Sequence, residues 1–351
     1  VRFSPAVAGN FSDTIQLDYN NGFMMVSSTR DVLGTGAVPA ILDISEAPLY
    51  DFGTVATTAS TNFTFTVSNT GGVLATAMTE VGIAAPFSFM GGTYPGTGGT
   101  CAATLLQGSS CTIVLAFSPT VTGLQSDTIQ INYNNGAVVV NTTRNIQGTG
   151  ASPALVTISD FDPYDYGVVA NGATSDYAFT LTNTGGVAAT TMSGSGLAAP
   201  FTFAGGAFPG TGGTCVATLA PAATCTVVVR FAPTVSGAAN DIFDITYNNG
   251  VSLQTSSRAV QGTGAAPAVL AIDSGPTYNF GLIADGGTTS RTFTLSNSGA
   301  VSATAITETG LAAPFAFLGG AFPGTGGTCG GTLGAGASCT VVVEFAPVGT
   351  G

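Results

Sequence analysis

The sequence predicts an all-β protein built from tandem β-sandwiches, and three observations carry that expectation. The chain repeats every 114 residues: the phenylalanines of VRFSP, LAFSP, VRFAP and VEFAP stand at Phe3, Phe117, Phe231 and Phe345. Short apolar segments alternate with period two, the pattern of a half-buried strand. Composition agrees, with 50 Gly, 17 Pro and abundant Thr, Val and Phe, and no stretch shows a helical period of useful length.

The register of the repeat is strict. YNNG recurs at Tyr19, Tyr133 and Tyr247, and GTG at Gly34, Gly148 and Gly262, with no insertion or deletion between copies. A unit of this size can bury a core of its own. The junctions GTGAVPAIL, GTGASPALV and GTGAAPAVL set the boundaries. Residues 1–36 read as the closing strands of an incomplete sandwich, 37–150 and 151–264 as complete repeats, and 265–351 as the opening part of another incomplete sandwich. Each junction offers a few residues and a Pro, unlike a long Gly/Ser linker, so a stiff, rod-like array is expected.

Within one period the strands can be read in order. In NFTFTVSNTGG, Phe63, Phe65 and Val67 share one face while Thr64, Thr66 and Ser68 share the other; Tyr177, Phe179 and Leu181 repeat the pattern. In SDTIQINYNNGAVVV, Ile129, Ile131 and Tyr133 share a face, and the following Asn-Gly predicts a tight type I′ hairpin turn. The recurring aromatic sets Phe52/Tyr166/Phe280, Phe87/Phe201/Phe315 and Phe89/Phe203/Phe317 could form a carbohydrate-stacking platform. Their place on alternating strands favours core packing.

Each unit carries one C-x9-C pair: Cys101/Cys111, Cys215/Cys225 and Cys329/Cys339. Zinc sites prefer closer pairs with further Cys or His ligands, and this chain has no His. The spacing suits a hairpin that turns near residue 106 and sets Cys101 opposite Cys111, within disulfide range. Closing so short a loop should contribute roughly 2–3 kcal/mol per unit. Paired cysteines imply an oxidising compartment, extracellular or at the cell surface; buried reduced thiols are the alternative reading.

Several motifs resemble chemistry. PGTGGTC, beginning at Pro95, Pro209 and Pro323, is Gly-rich like a phosphate loop, but no Lys follows and a strand comes next. Asp160, Asp162 and Asp165 cluster as calcium ligands can, yet the matching residues are Glu46, Pro48 and Asp51 in one sister copy and Ser274, Pro276 and Asn279 in the other. A solvated loop is the favoured reading. Asn10, Asn62 and Asn141 open N-x-S/T triplets, which arise often by chance in a Thr-rich chain.

Charge and composition exclude other classes. The formal net charge is −12, the six basic residues are all Arg, and charged residues make up 7% of the chain. That balance argues against nucleic acid as a partner. No apolar run is long enough for a membrane helix, so no membrane insertion is expected within this segment. With neither His nor Lys, no catalytic residues are assigned, and no metal or cofactor site is predicted. The missing Lys also precludes Lys–Asn isopeptide cross-links.

Taken together, YDFGTVATTASTNFTFTVSNTGG, GTCAATLLQGSSCTIVLAFSPTVTG and IQGTG resemble the Hydin-type (ASH-like) immunoglobulin-like repeat, often labelled choice-of-anchor D in bacterial surface proteins. The matching elements are Phe52, Gly53 and Val55; Asn69 to Gly71; the Cys pair; Phe117 and Pro119; and Gly148 to Gly150. The resemblance spans essentially the whole chain. It implies a seven- to nine-stranded immunoglobulin-like sandwich, used as a secreted or surface-attached building block without catalytic residues. Eukaryotic relatives serve cilia and centrosomes; the paired cysteines favour the bacterial, extracellular branch.

The two ends are complementary, since residues 1–36 are what residues 265–351 lack. Each should expose unpaired strand edges and half a core. Either the chain is a window cut from a longer array, or it is a protomer whose N-terminal strands complete the next copy. In the second case Phe3, Pro5, Ile15, Leu17 and Tyr19 meet Phe345 and Pro347 at a head-to-tail interface. The expected partner is then the chain itself, in a polymer whose low surface charge also permits lateral bundling. The leading functional expectation is a structural repeat of an extracellular bacterial filament or fibre. A rigid stalk of a cell-surface adhesin is the alternative, and it predicts a fragment that stays monomeric.

Overall fold

The computed structural model describes residues 1–349. Among them every regular element is a strand. The first two are β1 (Gly9–Asn20) and β2 (Met25–Gly36), an antiparallel hairpin. Repeat one follows with β3 (Leu42–Ile44), β4 (Leu49–Ala56), β5 (Thr61–Asn69), β6 (Thr76–Glu80), β7 (Phe87–Phe89), β8 (Ser110–Phe117), β9 (Gly123–Asn134) and β10 (Val139–Ala151). Repeat two has β11 (Val156–Ile158), β12 (Tyr164–Ala170), β13 (Ser175–Asn183), β14 (Thr190–Ser195), β15 (Phe201–Phe203), β16 (Thr224–Phe231), β17 (Gly237–Asn248) and β18 (Leu253–Ala265). The C-terminal segment holds β19 (Leu270–Ile272), β20 (Thr289–Asn297), β21 (Ala303–Thr304), β22 (Phe315–Phe317), β23 (Thr332–Leu333) and β24 (Ser338–Phe345).

The chain divides into two compact units. One comprises Val1–Leu155 with the loops Gly185–Ala188 and Asn249–Ser252; the other holds the rest of the chain from Val156 onward.

In the first unit, repeat one is a sandwich of two four-stranded sheets, β3-β5-β8-β7 and β4-β10-β9-β6. All neighbours are antiparallel except β4 and β10, which run parallel. Period-two alternation explains the core. Phe65, Val67, Ile113, Leu115 and Phe117 of one sheet meet Ile129, Ile131 and Ile146 of the other, all fully buried. The intervening Thr and Ser residues of β5 face outward. The β4–β10 register slips at Phe52–Gly53, opposite Gly148. This bulge lets Phe52 tilt onto Phe87 and Phe117, with ring centroids 5.7 and 5.8 Å away.

In the second unit, repeat two has the same two sheets, β11-β13-β16-β15 and β12-β18-β17-β14. The C-terminal segment keeps only the first kind, β19-β20-β24-β22, together with the small pair β21-β23. Residues 277–284 and 305–308, which correspond to β4 and β6, form no strand. A strand needs a neighbour to satisfy its backbone, and the central hairpin of that sheet is absent from this segment.

The expected two-residue type I′ turn is corrected by the structure. All three Asn-Gly hairpins close with four-residue loops: Asn21–Met24, Asn135–Val138 and Asn249–Ser252, the N–H of each first residue donating to the carbonyl of the fourth. The Asn135 carboxamide oxygen accepts the amides of Ala137 and Val138, while Asn134 caps Gly136. These side-chain caps satisfy the loop without the left-handed Asn that type I′ requires.

Candidate functional site: the disulfide loop and the two open ends

Cys101–Cys111, Cys215–Cys225 and Cys329–Cys339 are bonded, with Cα atoms 4.8, 4.9 and 4.9 Å apart. The path between them differs from the hairpin the spacing predicts. Cys101 lies outside any strand, its N–H donating to the Thr112 carbonyl. Beyond it the chain turns away from β8, and Leu105 exchanges two backbone hydrogen bonds with Ala75, just before β6. The physical reason is that the Ala75 end of the β6 segment offers unpaired backbone groups that the returning loop satisfies. The disulfide therefore anchors a loop that reaches from the β8 sheet toward the edge of the other one.

Two features around this loop escaped the sequence reading. Thr100 and Thr112, the residues flanking the disulfide, join hydroxyls at 3.1 Å, and Thr214/Thr226 and Thr328/Thr340 repeat the contact. The signal was present as TC and CT in every copy. Asn69 is 1% exposed; its Nδ2 donates to the carbonyls of Val73 and Leu105, and its Oδ1 accepts the amides of Ile41 and Gly71. One carboxamide thus ties the approach to β3, the turn after β5 and the disulfide loop. Asn297 does the same with Val301, Leu333, Val269 and Gly299.

The Gly-rich segment is structural. The Pro95 carbonyl accepts the Val114 amide, and a Cβ on Gly96 would fall 2.2 Å from the Val114 oxygen. This loop lies flush against β8, where only glycine fits. Of the acidic trio, Asp160 accepts the Tyr177 hydroxyl at 2.9 Å, Asp162 the Ala259 amide, and Asp165 the Gly167 amide and Gln261 carboxamide. Each carboxylate is committed to a different local partner. In the two complete repeats the aromatic sets pack inside, with Phe87 stacked on Phe117 at 4.8 Å and Phe201 on Phe231 at 4.8 Å, whereas Phe315 of the C-terminal segment is 38% exposed.

Electrostatics is local. Burial pushes the Tyr166 phenol far above its ordinary range, and its hydroxyl donates to the Val229 carbonyl at 2.7 Å. The hydrogen bond from Arg230 holds the Asp176 carboxyl below its usual value, with contacts of 2.6 and 2.7 Å. Arg144 is a buried cation whose Nη2 donates to the Ile44 carbonyl, linking β10 to β3 of the opposing sheet. Arg258 makes the same bond to Ile158 at 2.5 Å.

The residues expected at a head-to-tail interface lie at the two open pieces. Ile15, Leu17 and Tyr19 share one face of β1, and Leu17 and Tyr19 are 65% and 53% exposed. Phe3 lies over Gly34, and Pro5 against Gly36. Phe345 stacks on Phe315 at 4.9 Å, and the Pro347 carbonyl accepts the Gly286 amide. Among the described residues no helix is long and apolar enough to cross a membrane.

The fold and these features define a class, tandem immunoglobulin-like β-sandwiches with one disulfide in each of the two complete repeats and one in the C-terminal segment. A family model described as HYDIN/CFA65/VesB-like, Ig-like domain, matches residues 40–149 and 157–263, more than half of the sequence, and the chain belongs to that family. No curated protein matches it. Among solved structures, a Porphyromonas gingivalis W83 protein of unknown function aligns with 63% of this chain and 99% of its own, at 12% identity and a TM-score of 0.25. The Vibrio cholerae VesB protease aligns over 31% of each chain, at 17% identity and a TM-score of 0.26. The human CEP192 ASH/PapD-like domain 7 aligns over 33% of this chain and 88% of its own, at 18% identity and a TM-score of 0.25.

Proposed function

We propose that this chain is a non-catalytic structural segment of an extracellular bacterial fibre, made of disulfide-closed sandwiches that follow one another in series. The observation that carries this reading is the near identity of successive repeats in structural detail. Tyr50 stacks on Phe63 and Tyr164 on Tyr177, each at 4.0 Å. The amides of Leu42 and Val156 donate to the hydroxyls of Tyr133 and Tyr247, each at 3.1 Å. A binding or catalytic role would set one polar constellation apart, whereas a thread needs the same bead again. A disulfide in every unit suits an oxidising exterior, and 7% charged residues leave little repulsion between neighbouring fibres.

Immunogold labelling of source cells, both intact and in thin section, with an antibody to repeat one tests the reading. Label along the length of surface filaments is expected. Label confined to short projections that end in a different tip would favour an adhesin stalk. Label restricted to the cell interior would overturn the extracellular assignment.

A further inference from the structure

The chain contains four Asn-Gly steps, at Asn21, Asn135, Asn171 and Asn249. Asn-Gly is the dipeptide that deamidates most readily, because glycine has no side chain to shield its nitrogen. In that reaction the Gly nitrogen gives up its proton to base and attacks the Asn Cγ. The new C–N bond closes a succinimide. The bond from Cγ to the carboxamide nitrogen breaks, and that nitrogen takes a proton from water and leaves as ammonia. One water then opens the ring at either carbonyl, giving Asp or isoaspartate, so the balance is one water consumed and one ammonia released.

The fold cannot avoid the hazard. Three of the steps lie in the four-residue loops of the long hairpins β1–β2, β9–β10 and β17–β18, and there both residues are required. Gly22, Gly136 and Gly250 have φ of 95°, 93° and 93°, the left-handed region in which a side chain is strained. The Asn before each glycine closes the loop. Asn21 accepts the amides of Phe23 and Met24, Asn135 those of Ala137 and Val138, and Asn249 those of Val251 and Ser252. Two N–H donors on one carboxamide oxygen also polarise its carbon and favour attack there. Burial offers no shield, since Gly136, Ala137 and Val138 are exposed.

Damage at these loops would reach the core. The Asn135 main-chain carbonyl accepts the amide of Ala40, which is 2% exposed, and the Asn249 carbonyl accepts that of Ala154, which is 4% exposed. Isoaspartate reroutes the main chain through the side-chain carbons and turns that carbonyl into a free carboxylate. The approach to β3 or β11 would lose the bond that fastens it to the hairpin.

We propose that Asn134 protects Asn135 from deamidation by holding the attacking nitrogen, and that Asn20 does the same for Asn21. The Gly136 N–H donates to the Asn134 Oδ1 at 2.8 Å, and the Gly22 N–H to the Asn20 Oδ1 at 2.9 Å. A hydrogen bond made by the neutral amide disfavours its anion, the species that attacks. At the fourth step the backbone supplies the same restraint, since the Gly172 N–H donates to the Pro233 carbonyl at 2.9 Å. The recurring YNNG phrase thus divides its labour: the second Asn closes the loop and the first protects it. The inference goes beyond the fibre reading and holds whether or not the chain serves in a fibre.

The test is peptide mapping by mass spectrometry of the full chain aged in mildly alkaline buffer, scoring Asp and isoaspartate at each Asn-Gly step. A synthetic peptide of residues 131–142 is the unfolded reference, and Asn135 should survive far longer in the chain than in the peptide. Asn134→Ala removes the acceptor and should speed the loss of Asn135 about tenfold, the equivalent of one ordinary hydrogen bond. Asn171 and Asn249 of the same molecules should keep their rates and serve as internal references. Asn134→Asp retains an acceptor oxygen and should leave Asn135 protected. Hydrogen exchange at the amides of Ala40 and Asn135 distinguishes a released nitrogen from a melted loop, and both amides should stay protected in Asn134→Ala.

An unchanged rate in Asn134→Ala would overturn the proposal. So would equal acceleration by Asn134→Asp, because the acceptor oxygen would then be irrelevant. Acceleration accompanied by lost exchange protection at Ala40 and Asn135 would assign the effect to the loop as a whole and remove Asn134 from its role. A chain that loses Asn135 as fast as the peptide would show that nothing is protected.

Discussion

The ring of Phe117 lies so close over Gly148 that a Cβ there would fall 2.6 Å from its Cε1. Phe231 and Gly262 repeat the relationship at 2.7 Å. The phenylalanine closes β8 in one sheet and the glycine belongs to β10 in the other, so the pair sets how closely the two layers approach at this end of the sandwich. Gly148→Ala should therefore push the ring off its stack with Phe87. A loss of about 1–3 kcal/mol in repeat one is expected, the ordinary cost of overpacking a filled core. Calorimetry of the full chain should show one transition lowered and the others unmoved.

The disulfides fasten a loop that pairs with the opposing sheet's edge, so their loss should loosen more than a local turn. Replacing Cys101 and Cys111 together by Ser should lower the stability of repeat one by roughly 2–3 kcal/mol. The Leu105–Ala75 pairing should weaken with it. Hydrogen exchange at those two amides is the sensitive readout, expected to accelerate well before global unfolding. Unchanged protection there would mean that Asn69 and Leu105 hold the loop without the covalent bond.

The faces of the long strands were legible because period two leaves no ambiguity when both residue classes are strongly marked, as with Phe65 and Val67 against Thr64 and Thr66. The FG and GTG motifs were visible as letters, but their meaning as a bulge opposite a ring-bearing glycine depends on a parallel pairing of β4 with β10 across about a hundred residues. The Cys101–Cys111 span looked like a hairpin because spacing constrains only the distance between its ends. Its actual course follows backbone groups near Ala75 that no local pattern reveals. The hairpin loops were misread for a related reason: the Asn135 side chain supplies hydrogen bonds that a dipeptide rule ignores. Nor did sequence similarity among the copies show that residues 277–284 would leave the strand conformation, since that depends on a neighbour being present.

Asn69 offers a sharper test of the loop's other anchor. Its carboxamide makes four hydrogen bonds at 1% exposure. Asn69→Ala should strand the Val73 carbonyl and the Ile41 and Gly71 amides, while the Leu105 carbonyl keeps the Ala75 amide. We expect a loss on the order of 3 kcal/mol or more, larger than that from any surface asparagine. Asn69→Asp should also be strongly destabilising at neutral pH, because a carboxylate cannot donate to the Val73 and Leu105 carbonyls. Denaturant midpoints of the two variants, compared with Asn141→Ala on the exposed face of β10, decide the matter.

The Asp176–Arg230 pair supplies a pH-dependent contribution confined to repeat two, since the matching residues are Asn62 and Ala116 in repeat one and Ser290 and Glu344 in the C-terminal segment. Its two contacts are short, but the side chains are 39% and 35% exposed. Solvent screening therefore keeps the pair's contribution small. The sign follows from the direction of the shift. Arg230 lowers the Asp176 pKa in the folded chain, so the stabilisation is fully present above the unfolded value of about 3.9 and is lost as pH falls through the folded value. Asp176→Asn should accordingly lower the melting temperature of repeat two at pH 7. The gap to the unaltered chain should narrow below about pH 4 and close once the carboxyl is protonated in both states. Melting curves of both proteins from pH 7 down to about pH 2 would show this convergence. A gap of constant size across that range would assign the effect to packing of the side chain rather than to its charge.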